Sequence, residues 1–149
     1  MTKRVGVLAC VALCLVGLAP RTGAAAEEGA PKPFAVEYYY KIAWGHFGEW
    51  MELYERNHYP ILKRLQEQGR IVEMRAVYPR YHAGESSRWD FRFTIVWKDA
   101  LAAHETTDPA IARELYPDQE RFEKEEQRRF ELLLEHMDVP VVEDDMSSW

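Results

Sequence analysis

WMELYERNHYPILKRL, residues 50–65, lies between two stretches that follow a different period, and that change of period decides the fold. Phe47, Trp50, Leu53, Tyr54, Ile61 and Leu65 recur at spacings of three and four with His58 in phase, the pattern of a helix that buries one stripe. Pro60 has no amide to donate and disfavours helical geometry at Tyr59, so a straight helix through it costs ~3 kcal/mol. A bend or restart over residues 57–60 is the cheaper solution. Gly69 stands where the helix should end.

Working outward, residues 34–44 read FAVEYYYKIAW, with Phe34, Val36, Tyr38, Tyr40, Ile42 and Trp44 alternating against Ala35, Glu37, Tyr39, Lys41 and Ala43. Aromatic and β-branched content favours a strand. Residues 70–78 alternate likewise, placing Val72, Met74, Ala76 and Tyr78 against Ile71, Glu73, Arg75 and Val77. After a loop over residues 80–87, residues 88–97 are the clearest strand, with Trp89, Phe91, Phe93, Ile95 and Trp97 on one side.

Asp99 can cap a short helix over residues 100–104, and Thr107 or Asp108 can cap another start at Pro109. Pro117 interrupts, and residues 118–137 then read as one long helix with Phe122, Phe130, Leu133, Leu134 and Met137 on a stripe. Its charge run reads as a solvated face. Residues 139–143 read as a short last strand, confined by Pro140 to an edge or an end. The order strand, helix, strand, strand, helix, strand is that of a ferredoxin-like βαββαβ unit, a four-stranded antiparallel sheet with helices on one face.

The ends and totals bound the rest. Lys3 and Arg4, an apolar run over residues 5–19 and Ala24-Ala25-Ala26 form the three parts of an export signal, expected to be cleaved after Ala26. The run falls short of the roughly 20 apolar residues of a membrane span, so no stable membrane insertion is expected after cleavage. The protein is expected to be exported, periplasmic or secreted. Cys14 follows Leu13, not the small residue a lipid anchor requires, and both cysteines fall within the signal. Disulfides, thiolate metal sites and cysteine nucleophiles are therefore excluded from the mature chain. Residues 27–33 read as a flexible leader, 34–143 as one domain and 144–149 as an acidic tail. Removing Lys3, Arg4 and Arg21 takes the basic count from 19 to 16 against 25 acids, a net charge of about −9 that repels nucleic acid.

Several features together resemble the dimeric α/β-barrel superfamily, closest to its EthD-like and NIPSNAP-like members. These are the aromatic first strand, Glu49-Trp50 on the helix, Asn57-His58-Tyr59-Pro60-Ile61, a glycine before the second strand, and the third strand running into Trp97-Lys98-Asp99-Ala100-Leu101. The resemblance implies a homodimer formed by two sheets packed face to face, with a small-molecule cavity between each sheet and its helices or near the dimer seam. It also implies activities such as cofactor-independent isomerisation or cyclisation of lactones or aromatic compounds, and haem degradation.

His58 is the candidate proton carrier, because neutral imidazole can act as acid or base near physiological pH. Tyr38 and Tyr40 are the candidate catalytic hydroxyls beside it. Arg92 and Lys41 are candidates for holding or polarising a substrate, and Trp50, Tyr54 and Trp89 for walling it in. Each has a structural alternative: a packed histidine capping the backbone freed by Pro60, a solvated or dimer-forming charged face, an aromatic core. No histidine pair has the spacing of a helical metal motif, and no phosphate or dinucleotide glycine loop is present, so neither metal nor cofactor is expected. The leading expectation is an isomerase, cyclase or lyase acting on an aromatic or lactone-like molecule. The competing one is a non-catalytic binding or assembly module, and a haem-degrading monooxygenase using Trp97 and a downstream histidine is less favoured.

Overall fold

The computed structural model describes residues 32–81, 83–105, 109–142, 144, 146–147 and 149. The export signal, most of the leader and parts of the tail lie outside the described residues. Strand β1 (Phe34–Ile42) leads into α1 (Phe47–Leu53), a π-helical segment (Tyr54–His58) and α2 (Tyr59–Glu67). The antiparallel strands β2 (Ile71–Val77) and β3 (Phe91–Trp97) follow. Helices α3 (Ala100–His104), α4 (Pro109–Leu115) and α5 (Gln119–Glu131) then lead to β4 (Leu133–Val141). The strands form one sheet in the order β2-β3-β1-β4, with β1 antiparallel to both of its neighbours. That order is the ferredoxin-like one. Among the described residues no helix is long and apolar enough to cross a membrane.

Pro60 is accommodated without a break. The chain widens into a π turn, in which the Tyr59 amide bonds the Tyr54 carbonyl, and Pro60 falls in the first turn of α2, where a missing donor costs little. Just before Pro60 stand the carbonyls of Arg56 and Asn57. Both accept from the Tyr116 hydroxyl, at 3.0 and 2.9 Å. Nearby, buried Asn57 donates through Nδ2 to Glu125 at 2.8 Å, and Arg56 Nε reaches the same carboxylate oxygen at 3.1 Å. These bonds pin α5 and the turn before it to the first helical layer beside Pro60.

Beneath that layer the core is aromatic. Trp50 is fully buried, with ring centroids 4.9 Å from Tyr40, 5.1 Å from Tyr54 and 5.6 Å from Phe91. Val36, Ile42, Phe93, Ile95 and Trp97 extend the floor, and Leu53, Ile61, Leu62 and Leu65 come down from the helices. The indole N–H of Trp50 and the hydroxyl of Tyr54 are buried without a hydrogen-bond partner.

Three expectations are corrected. The long helix over 118–137 ends at Glu131, and Leu133, Leu134 and Met137 belong to β4, because the second edge of β1 offers a full ladder from Ala35 to Ile42. Pairing with that edge overrides local helix preference. Val72 is exposed and Ile71 buried, the reverse of strict alternation, because a bulge between Ile71 and Glu73 shifts the register against β3. Residues 88–90 precede β3, and Trp44 lies past the end of β1 at 62 % exposure, outside the core row.

Removing the shared donor tests the role given to Pro60. Tyr116→Phe should destabilise the protein by about 1–2 kcal/mol in urea unfolding, because two carbonyls lose their partner. In the Pro60→Ala background a free amide returns, and the same substitution should cost less.

Candidate functional site

The π turn ends at His58, which it presents on the covered side of the sheet. Its ring packs against Tyr54 at 5.1 Å, and Nδ1 lies 3.9 Å from Glu126 Oε2, beyond hydrogen-bond reach. Glu126 is occupied with Arg129: Nε to Oε1 is 3.0 Å and Nη2 to Oε2 is 2.8 Å. Arg129 is 2 % exposed, an ion withdrawn from water beside its carboxylate, with the Tyr54 and Phe130 rings 5.9 and 4.6 Å from its guanidinium.

From the strand side, His136 of β4 stands opposite Tyr40 of β1 and stacks on its ring at 4.4 Å and 16°. Tyr38 lies 6.4 Å from the same imidazole. His136 Nε2 is 3.1 Å from Asp138 Oδ1. The side chains of His58 and His136 each keep 28 % exposure, so each ring is mostly covered and meets water at one edge. Two cavities border the helical segment that carries His58. One, about 220 Å³, is bounded by residues such as Asn57, Tyr116 and Glu125, and the other, about 240 Å³, by Tyr54, Tyr59, Met74 and Phe93. The His58 ring lies toward β4, an edge strand exposed along most of its length.

The electrostatics result from this placement. Burial first, then Arg129 and His136, push the His58 imidazole down to about 3, so it is neutral at pH 7. Burial also lowers His136; Asp138 acts against that shift and Arg129 adds to it. Burial raises the phenols of Tyr38, Tyr40 and Tyr54, keeping them protonated as hydrogen-bond donors. The result is two uncharged imidazoles and three uncharged phenols close to one buried cation.

Of the residues singled out in the sequence, His58, Tyr38, Tyr40, Trp50 and Tyr54 share this side of the sheet. Trp50 is fully buried, so it packs the floor rather than walling a ligand. Arg92, Lys41 and Trp89 are corrected to the other side. Arg92 stands opposite Tyr39, pairs with Glu37 at 3.3 Å, and places its guanidinium 5.9 Å from both the Tyr39 and Trp89 rings. Lys41 is bound to Glu85, through its carbonyl at 2.6 Å and its carboxylate at 2.9 Å. The alternation of β1 forces this result, because Tyr38 and Tyr40 cannot share a face with Tyr39 and Lys41.

Sequence reasoning missed Glu126, Arg129 and His136. Phe122, Glu126 and Arg129 are spaced by four and three, the signal of an inward stripe, but the surrounding charges disguised it. His136 was hidden by reading its segment as helix. Among the described residues no group of three or more His, Cys, Asp or Glu side chains is placed to hold a metal.

The architecture and this arrangement define a ferredoxin-like α+β protein with a histidine–tyrosine cluster on its helix-covered sheet face. No family model matches the chain, and no curated protein matches it. Solved structures with a similar fold include a dimeric ferredoxin-like protein of unknown function from Jannaschia sp. CCS1 (14 % identity, covering 75 % of this chain and 100 % of that one, TM-score 0.46). A NIPSNAP family protein from Agrobacterium tumefaciens str. C58 is 15 % identical, over 78 % of this chain and 90 % of that one, with a TM-score of 0.46. A dabb family protein with a ferredoxin-like fold from Mesorhizobium loti is 9 % identical, over 75 % and 97 %, with a TM-score of 0.47. These likenesses concern architecture alone.

The lowered histidine values predict a pH dependence. A histidine whose folded-state value is depressed contributes stability that is complete above its unfolded value near 6.5 and is lost as pH falls toward the folded one, about 3 for His58. Glu125, held near 2 chiefly by Asn57, loses its contribution only below its ordinary value of 4.5. Urea-unfolding stability should therefore already decline between pH 6.5 and 5, and His58→Gln should flatten that part of the curve. An unchanged slope in the variant would contradict the placement.

Proposed function

We propose that the mature chain is an exported, homodimeric small-molecule-binding protein that moves a proton to or from an acidic aromatic or lactone-like ligand, using His58. The observation that supports this reading is an uncharged imidazole, open to water at one edge, within the positive field of Arg129 and beside uncharged phenols. A ligand that becomes an enolate or phenolate there gains from that field, and its anion raises the proton affinity of His58. The C–H or O–H bond of the ligand breaks and an N–H bond forms on His58; the electron pair stays on the ligand as the anion. Return of the proton to a different atom is an isomerisation, and ring closure or loss of a leaving group from the same anion is a cyclisation or elimination. Glu126, 3.9 Å from Nδ1, is placed to approach the imidazolium with a small movement.

Dimer formation belongs to the opposite sheet face. There Glu37 joins Arg92 and Tyr39, Arg75 meets Glu73 at 3.0 Å, and Met137 and Val139 stay exposed beside them. Charges already paired within one chain are cheap to cover, which suits a face that closes on a second copy. This same feature favours the assembly-module reading if no ligand is found.

The test is a thermal-shift and proton-uptake screen of lactones, phenols and enolisable aromatic ketones on the purified mature protein. A hit should stabilise the protein and take up or release a proton, and His58→Ala should abolish the proton change while the fold is retained. Ligand binding with identical proton exchange in His58→Ala would remove the histidine from the reaction. Light scattering at micromolar concentration should give a dimer, and Val139→Asp should shift it toward monomer.

A further inference from the structure

Another cavity lies beyond the end of the sheet. It measures about 370 Å³ and is bounded by the β1–α1 turn, the chain leaving β2 and the residues entering β3. That volume is within the ~300–1,000 Å³ typical of small-molecule pockets. None of its residues belongs to the His58 cluster.

Its base is a fixed polar frame. Arg88 is 6 % exposed; its Nη1 donates to the Ile42 carbonyl at 3.1 Å and contacts the Asp90 carboxylate, while Nε reaches Glu85 at 3.1 Å. Asp90 in turn accepts from the Ile42 amide at 2.8 Å. This frame ties the loop before β3 to the end of β1 and sets the plane of Trp44, whose ring lies 4.2 Å from the Arg88 guanidinium and whose indole N–H donates to Glu85 at 3.2 Å. Phe47 and Tyr78 meet edge to face at 6.3 Å. Trp44, Phe47 and Tyr78 are thus positioned by contacts behind or beside them, yet Trp44, Tyr78 and the neighbouring Tyr81 are 62 %, 52 % and 82 % exposed. Oriented aromatic faces left in water around one cavity are a feature that needs an occupant.

Charge selects the occupant. Arg88 is compensated by Asp90 and Glu85, and Lys41 by Glu85. Arg80, also on the lining, is exposed and has no ion-pair partner among the described residues. The geometry points to a binding site for a flat aromatic molecule carrying an anionic group, its ring stacked among Trp44, Phe47, Tyr78 and Tyr81 and its acid facing Arg80. Stacking supplies the affinity and Arg80 the preference for an acid, because a charge-assisted hydrogen bond is roughly twice as strong as a neutral one.

Calorimetric titration with 2-naphthoate and its neutral analogue 2-naphthamide tests this inference. The full mature protein should bind one naphthoate per chain and prefer it to the amide. Arg80→Gln should weaken naphthoate roughly tenfold while leaving the amide unchanged, because only the charge-assisted contact is lost. Tyr81→Ser, at an exposed position that does not support the fold, should weaken both. His58→Phe should alter neither, which separates this site from the one proposed above. Absence of saturable naphthoate binding, an Arg80→Gln protein that binds naphthoate as tightly as the parent, or loss of binding in His58→Phe would each overturn the inference.

Discussion

The Tyr116 hydroxyl donates to the Arg56 and Asn57 carbonyls just before Pro60, tying the turn that carries His58 to the segment ahead of α5. A proline inside a helix removes a donor and crowds the preceding turn. Here the chain absorbs the insult as a π turn, which adds a residue to one turn and rotates α2 relative to α1. His58 is the last residue of that turn. The rotation, the tether from Tyr116 and the Asn57–Glu125 bond act together, so α5 arrives with Glu126 and Arg129 directed at the imidazole. Burial comes first among the causes that depress the proton affinity of His58; Arg129 follows from the helix tethered beside this turn, and His136 from β4.

The sheet separates two kinds of chemistry. On the helix side, burial first and then the Arg129 charge keep His58 and His136 neutral, and removing one partner of the Glu126–Arg129 pair leaves an uncompensated, largely buried charge. On the other side, Glu37, Tyr39, Arg92, Glu73 and Arg75 neutralise one another locally. Beyond the strand ends lies a third environment, aromatic and exposed, braced by Arg88. Each arises from strand alternation combined with what covers, or leaves uncovered, a particular end or face.

Much of the fold was legible in the sequence, because period-two alternation in residues 34–42 and 91–97 and the three-four spacing around Trp50 and Leu65 are direct imprints of burial. The last strand was legible only at its end: residues 139–143 read as strand, whereas residues 133–138 did not. Leu133, Leu134 and Met137 fit a helical stripe as well as a strand, and only the unpaired edge of β1 decides between them. The site divided along the same line. His58, Tyr40 and Tyr54 could be placed by phase alone; Lys41 and Arg92 were grouped with them by chemistry, against the alternation that sends them to the other face, while Trp89, which alternation groups with Phe91, precedes β3 and packs beside Tyr39 instead. Arg129 was obscured because a buried arginine within a charged run looks like its solvated neighbours until a tertiary partner withdraws it from water.

The central claim is that the proline-shaped turn holds His58 uncharged beside Arg129. An NMR titration of the imidazole resonances of the mature protein, with His58 assigned by comparison with His58→Gln, measures this directly. His58 should stay neutral from pH 8 to below pH 5, since burial and Arg129 hold it near 3. A midpoint at the ordinary value of about 6.5 would contradict it.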